Sequence, residues 1–253
     1  MQKLTFLCLF FLAVVSKAQK TESGIFNGKD LALPYQIIYP ENFDAKQRYP
    51  VFLFLHGAGE RGNDNEKQMI HARKFFIKND KNIFPGIAVV PQCPEKGFWS
   101  RRSQAPAGSP LPWRFDYSDK ESGEIKAAVA LLKTVIKKNG DVKRIYVGGL
   151  SMGGMGTFEA VYRYPKLFAA AIPICGGGDA IHYDKRVART AFWIFHGADD
   201  EVVKASYSQE MAAKLKELGA NMKYTEYPGV NHNSWDNAFA EQDILNWLLS
   251  KHK

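Results

Sequence analysis

Cysteine is scarce: only three of the 253 residues are Cys. That is too few for a dense disulfide framework, and no Cys/His spacing matches a zinc site. Pro-, Ser- or Gly-rich linkers, blocks of like charge and internal repeats are also missing, so nothing divides the chain into several domains. No apolar run reaches the ~20 residues needed to span a bilayer. The 34 basic residues outnumber the 26 acidic ones, but they are scattered rather than interleaved with aromatics, which fits a solvated surface and argues against nucleic-acid binding. With 45% hydrophobic and 24% charged residues, the chain has the composition of one ordinary globular domain with a sizeable core.

The first 18 residues follow a separate logic. Lys3 gives a positive start, residues 4–15 are almost wholly apolar, and Ser16-Lys17-Ala18 places small residues at the two cleavage-determining positions. This predicts a cleaved signal peptide over 1–18, a mature chain over 19–253, a secreted or periplasmic location and no stable membrane anchor after cleavage. Cys8 lies inside the apolar run rather than at its end, which argues against lipidation. Loss of Lys3 and Lys17 leaves 32 basic against 26 acidic residues, a net charge of +6. Cys93 and Cys175 remain, each near the end of an apolar run, as buried free thiols or as a disulfide pair.

Continuous apolar runs at 51–55, 87–90, 145–147, 169–174, 191–195 and 222–227, with an extended segment ending at 37–39, predict strands buried on both faces. Between them, Ile125, Ala128, Val129, Leu132 and Ile136 fall on one helical face, and Met211, Ala212, Leu215 and Leu218 on another. Gly140 and Gly219 are placed to stop those helices. The alternation predicts an α/β fold with a mostly parallel central sheet covered by helices on both faces. Its ligand site would lie beyond the carboxyl ends of the strands.

The loops after those runs carry the reactive residues. Gly149-Leu150-Ser151-Met152-Gly153 is G-x-S-x-G set between a strand and a helix-compatible stretch, the context in which this motif presents a nucleophilic serine. The amide of Met152, at the start of that helix, is positioned to face a developing oxyanion. A serine hydroxyl needs a base to take its proton and a carboxylate to orient that base. His56 and His196 each close a buried strand before glycine, His71 falls in a polar helix, His182 in an unpatterned loop and His252 at the terminus. His232 stands in a turn-rich loop after the last strand, where the base belongs. For the acid, spacing leaves Asp199 and Asp200 open.

On these motifs the chain resembles the esterase branch of the α/β-hydrolase superfamily, near its polyhydroxybutyrate-depolymerase-like, dienelactone-hydrolase-like and feruloyl or acetylxylan esterase groups. The resemblance spans residues 33–249. It implies a triad of Ser151, His232 and, through the register of His196-Gly197-x-x-Asp200-x-x-Val203, Asp200. It implies a second oxyanion donor in the loop His56-Gly57-Ala58-Gly59, at the amide of Ala58 or Gly59. It implies a serine carboxylic-ester hydrolase needing no metal or organic cofactor, acting on a small ester or acylated oligosaccharide, with feruloyl or acetyl groups as the acyl class.

Between Cys93 and Glu121 an insertion carries Phe98, Trp99, Arg101, Arg102, Trp113, Arg114, Phe115 and Tyr117. Its aromatics can stack on a sugar or aromatic acyl group and its arginines can hold a carboxylate, or they can pack the loop onto the sheet. Trp99 and Trp113 are thus candidate substrate-binding residues, and Trp235, three residues beyond His232, is another with the same two readings. Two other function classes fit parts of the pattern: a serine peptidase of the prolyl-oligopeptidase type, and a non-catalytic carbohydrate-binding protein on the same scaffold. The first lacks room for a propeller domain, and the second is disfavoured by an intact set of triad residues.

Overall fold

The computed structural model describes residues 19–77, 83–109 and 111–253. The segment expected to be a signal peptide lies outside them. Ten strands are present among the described residues: β1 (Thr21–Asn27), β2 (Ala32–Ile38), β3 (Tyr49–Leu55), β4 (Ile87–Pro91), β5 (Arg102–Gln104), β6 (Trp113–Phe115), β7 (Gly140–Leu150), β8 (Ala170–Ile174), β9 (Ala191–Gly197) and β10 (Met222–Tyr227). Six helices join them: α1 (Met69–Phe76), α2 (Gly123–Asn139), α3 (Met152–Arg163), α4 (Ser206–Glu217), α5 (Trp235–Ala240) and α6 (Ile244–Leu249).

Eight strands form one sheet in the order β1-β2-β4-β3-β7-β8-β9-β10. The six from β4 to β10 are parallel, while β1 and β2 add an antiparallel edge. The period-2 alternation of strand side chains explains why β3 reads as an unbroken apolar run. Val51, Leu53 and Leu55 join α2, α3 and α4 in the core on one face, while Phe52 and Phe54 meet α1, α5 and α6 on the other.

Helix α2 covers the predicted face and is capped by the Ser122 hydroxyl, which accepts from the Ile125 amide at 3.1 Å. Gly140 ends it and immediately opens β7, which is therefore longer than its apolar centre at 145–147 suggests. After α4, Gly219 takes φ +73°, the left-handed turn that lacks a Cβ penalty only in glycine. Three features depart from expectation. Strand β10 is half-buried rather than buried, because it is the sheet edge and pairs only with β9. Strand β1 has no apolar run to betray it, since its residues alternate between exposed and half-buried. The insertion holds a short antiparallel hairpin, β5–β6.

Chain order reverses at β3, which has β4 on one side and β7 on the other. Leu55 pairs with Gly149 in that register. The loop opening at His56 and the turn at Ser151 therefore leave adjacent strand ends, at the switch point where parallel sheets hold ligands.

Candidate active site

Ser151 follows β7 directly and sits at φ 53°, ψ −116°, a conformation that L-residues rarely take. Such strain costs about 1–3 kcal/mol and must be held by the surroundings. The Ser151 amide donates to the Ile174 carbonyl at 2.9 Å, fixing the turn to the end of β8. Close packing does the rest. A Cβ at Gly149 would lie 2.2 Å from the Leu55 carbonyl oxygen, and one at Gly153 would lie 1.8 Å from it. Only glycine at both positions lets the start of α3 press against the end of β3, which is why the motif needs them.

The Ser151 hydroxyl lies 2.9 Å from Nε2 of His232, and Nδ1 of His232 lies 2.7 Å from Oδ2 of Asp200. These are hydrogen-bond distances for a serine donating to a base whose other N–H donates to a carboxylate. His232 reaches the site from the loop after β10, and Asp200 from the loop after β9. The geometry separates the two acids. Asp200 is buried, whereas Asp199 is exposed and only its amide is tied down, to the Val230 carbonyl at 3.1 Å.

Burial alone would raise the Asp200 carboxyl, but hydrogen bonds from His196, from His232 and from the Val203 amide hold it well below the usual carboxylate range. His196, read from sequence as a strand-closing residue, thus has a direct place in the site. Its Nε2 lies 2.8 Å from the Val203 carbonyl and 3.2 Å from Asp200 Oδ2; both are acceptors, so this nitrogen carries the proton. The signal available in sequence was the i,i+4 spacing of His196 and Asp200.

The amides of Ala58, Gly59 and Met152 bond no acceptor among the described residues. Ala58 and Gly59 open a short 3₁₀ turn after Gly57, and Met152 opens α3 directly after Ser151, so the donors come from the loops that leave the adjacent strands β3 and β7. The first loop is bolted from several sides. His56 donates from Nδ1 to the Gly57 carbonyl at 2.6 Å and accepts from the Cys93 amide at Nε2 at 2.9 Å. Burial pushes its pKa down to about 4, so it stays neutral at ordinary pH and keeps both bonds. Arg61 Nε donates to the Ala58 carbonyl at 2.9 Å, and Gln92 Nε2 to the Glu60 carbonyl at 3.2 Å.

The three tryptophans take different places. Trp99 is a correction: it is fully buried, donates from Nε1 to the His56 carbonyl at 3.1 Å and lies against Gly156, so it supports the loop from below and offers no surface to a ligand. Phe115 and Tyr117 are likewise core residues. Trp113 is half-buried and stacks on Tyr207 with 17° between the ring planes. Trp235 stands edge-on to His232, with ring centroids 5.5 Å apart, and also touches His71.

Cys93 and Cys175 are buried free thiols, and burial raises both pKa values far above the ordinary thiol range. Cys175 lies beneath Ser151, at φ 41°, and its Sγ accepts from the Ser151 amide at 3.3 Å. Nothing in its local sequence marks that role.

Among the described residues, two groups bring three metal-ligand atoms within 4.8 Å of one another: Cys175, Asp200 and His232, and Asp116, Asp179 and His182. In the first, His232 and Asp200 are engaged with each other and the thiol is held protonated. In the second, Asp179 already accepts from the amides of Tyr117, Ile181 and His182 and contacts the His182 ring. Both donor sets are occupied by bonds within the protein.

Residues 42–249 match the family model described as phospholipase/carboxylesterase. A carboxylesterase from Arabidopsis thaliana, SOBER1, is 26% identical over 72% of this chain and 82% of its own length. Lysophospholipase-like protein 1 of Mus musculus is 24% identical over 79% of this chain and 85% of its own. Among solved structures, a thermostable esterase superposes with a TM-score of 0.77 at 32% identity, covering 92% of this chain and 63% of that one. A feruloyl esterase module from Clostridium thermocellum shares the fold at a TM-score of 0.61 and 14% identity, covering 91% of this chain and 87% of that one. The chain belongs to the phospholipase/carboxylesterase family and is a carboxylic-ester hydrolase of the α/β-hydrolase fold.

Proposed function

We propose that Ser151, His232 and Asp200 are the catalytic triad of a secreted or periplasmic esterase that removes feruloyl- or acetyl-type acyl groups from oligosaccharides. The observation that carries the catalytic part is the unbroken chain of bonds from the Ser151 hydroxyl through the His232 ring to the Asp200 carboxylate. Ser151 Oγ attacks the ester carbonyl while His232 Nε2 takes its proton, and Asp200 stabilises the imidazolium so formed. The oxygen of the tetrahedral intermediate takes its negative charge between the amides of Met152 and of Ala58 or Gly59, each such donor being worth ~10²–10³ in turnover. Collapse breaks the ester C–O bond, and the imidazolium proton leaves with the alcohol. Water then repeats the cycle on the acyl-serine and releases the acid.

The carbohydrate part is supported by the insertion, which raises Trp113 and Phe98, both half-buried, on the strand-end side of the sheet, and by the fold shared with feruloyl esterases. The export part is supported by the N-terminal pattern, and Gln19 as the first residue of protein recovered outside the cytoplasm would test it. For specificity, the mature enzyme is assayed on acetylated and feruloylated oligosaccharides, simple alcohol esters, a long-chain thioester and a peptide amide. Higher kcat/KM on the acylated oligosaccharides is the expected result. A preference for the thioester or the amide would overturn the carbohydrate reading and leave the triad standing.

A further inference from the structure

Two guanidinium groups, those of Arg61 and Arg102, are without a carboxylate partner among the described residues. Arg102 opens the β5–β6 hairpin, and its guanidinium is held between two rings, 4.2 Å from the centroid of Phe98 and 4.4 Å from that of Trp113. Stacking of this kind fixes the plane of the group and leaves its edge N–H donors for a planar partner. Arg61 is tied by Nε to the Ala58 carbonyl at 2.9 Å and by Nη1 to the Gly97 carbonyl at 3.4 Å. Neither arginine forms an ion pair among the described residues, whereas Arg114 of the same insertion pairs with Asp116. Glu124, the carboxylate packed against Gly97, pairs with neither. The two cations are also close enough to oppose each other: burial first, and then the charge of Arg61, lowers the Arg102 pKa.

Both groups are linked to the loops that surround the Ser151 turn. The Arg61 bond ends on the residue whose amide is a proposed oxyanion donor. Trp113, which carries one face of Arg102, exchanges two 2.8 Å hydrogen bonds with the Tyr207 hydroxyl, and Tyr207 packs against Gly177 just beyond Cys175. The hairpin is thereby tied to the residues that follow β8. A cavity of about 380 Å³ opens on the hairpin itself, lined by Arg102, Ser103, Gln104, Pro112 and Trp113.

We propose that Arg61 and Arg102 form a clamp for a carboxylate, so that the preferred substrates are esters carrying a carboxylate close to the scissile carbonyl. The proposal rests on the esterase reading of Ser151 and deepens it. The carboxylate has two possible sources: the acyl group, as in the half-ester of a dicarboxylic acid, or the alcohol, as in a uronate-bearing oligosaccharide. A planar guanidinium pair suits either one by bidentate hydrogen bonding.

The test compares matched pairs on the mature enzyme: the 4-nitrophenyl half-ester of glutarate against 4-nitrophenyl methyl glutarate, and acetylated oligogalacturonate against its methyl ester. The expected result is a ratio of kcat/KM, charged over neutral, of about tenfold or more in at least one pair; the pair that shows it identifies the source. Raising salt from about 0.05 to about 0.5 M should lower that ratio in the unmodified enzyme, because screening shortens the reach of the arginines. Arg102→Gln and Arg61→Gln should each bring it toward unity, while Arg114→Gln leaves it unchanged. Neutral esters turned over with a ratio near one, insensitive to salt and to both substitutions, would overturn the clamp alone. Failure to turn over any ester would overturn the esterase reading and the clamp with it.

Discussion

The floor and the rim of this site are held in different ways. On the floor, Ser151, Asp200 and His232 each follow the carboxyl end of a parallel strand, and hydrogen bonds hold the groups around them: Ile174 under Ser151, His196 and the Val203 amide around Asp200, the His56 ring under the oxyanion loop. On the rim, the insertion carries the short hairpin β5–β6, where Arg102 and the half-buried rings of Phe98 and Trp113 hold one another. A floor built on strand ends keeps reacting atoms within the small tolerances that catalysis requires. A rim built on side-chain stacking can change its ligand without disturbing that floor.

Substitutions on the floor should be the costly ones. Ser151→Ala is expected to lower kcat on a 4-nitrophenyl ester by ~10⁶ with an unchanged far-ultraviolet circular dichroism spectrum. Asp200→Asn should cost ~10⁴, because the amide no longer enforces the His232 tautomer. It also removes a pH-dependent share of stability. The folded-state pKa of Asp200 lies below its unfolded value of about 3.9, so its contribution is complete above about pH 4 and fades as pH falls through the folded pKa. Urea unfolding of the two proteins should accordingly converge in acid, and a gap that widens below pH 4 would contradict this. His196→Ala leaves the triad intact but takes away a partner of Asp200. An expected loss of about 10² in kcat, with KM little changed, separates this positioning role from a purely structural one.

Trp99 and Trp113 sharpen the comparison in stability. Trp99 lies in the insertion yet belongs to the floor, and Trp99→Ala should destabilise by about 3–5 kcal/mol through its cavity. Trp113→Ala should cost about 1 kcal/mol or less and act instead on the ratio of oligosaccharide to small-ester kcat/KM. Equal losses of Tm in the two variants would erase the distinction drawn between floor and rim.

The same contrast explains what was legible in sequence. Strands buried on both faces leave unbroken apolar runs, and the G-x-S-x-G turn needs its glycines for reasons of contact distance, so β3, β7 and the position of Ser151 could be read directly. The choice of Asp200 over Asp199 needed the family register, since adjacent carboxylates have the same spacing. In the structure, burial separates them. Trp99 and Trp113 could not be told apart, because the burial of an aromatic in a long loop is decided by what lies beneath it, here Gly156 and the His56 carbonyl. The support given by His196 and the contact of the Cys175 thiol with the Ser151 amide depend on neighbours brought in by other strands. The β1 edge was hidden for a simpler reason, that a mostly exposed strand carries no continuous apolar run.

The central claim is that Ser151 is the nucleophile at the end of a chain through His232 to Asp200. Its most direct test is reaction of the mature protein with a fluorophosphonate ester, followed by digestion and mass spectrometry. A single covalent adduct on the peptide containing Ser151, formed as ester turnover disappears and absent from Ser151→Ala, is the predicted result. An adduct on another residue, or complete labelling with turnover intact, would contradict the account.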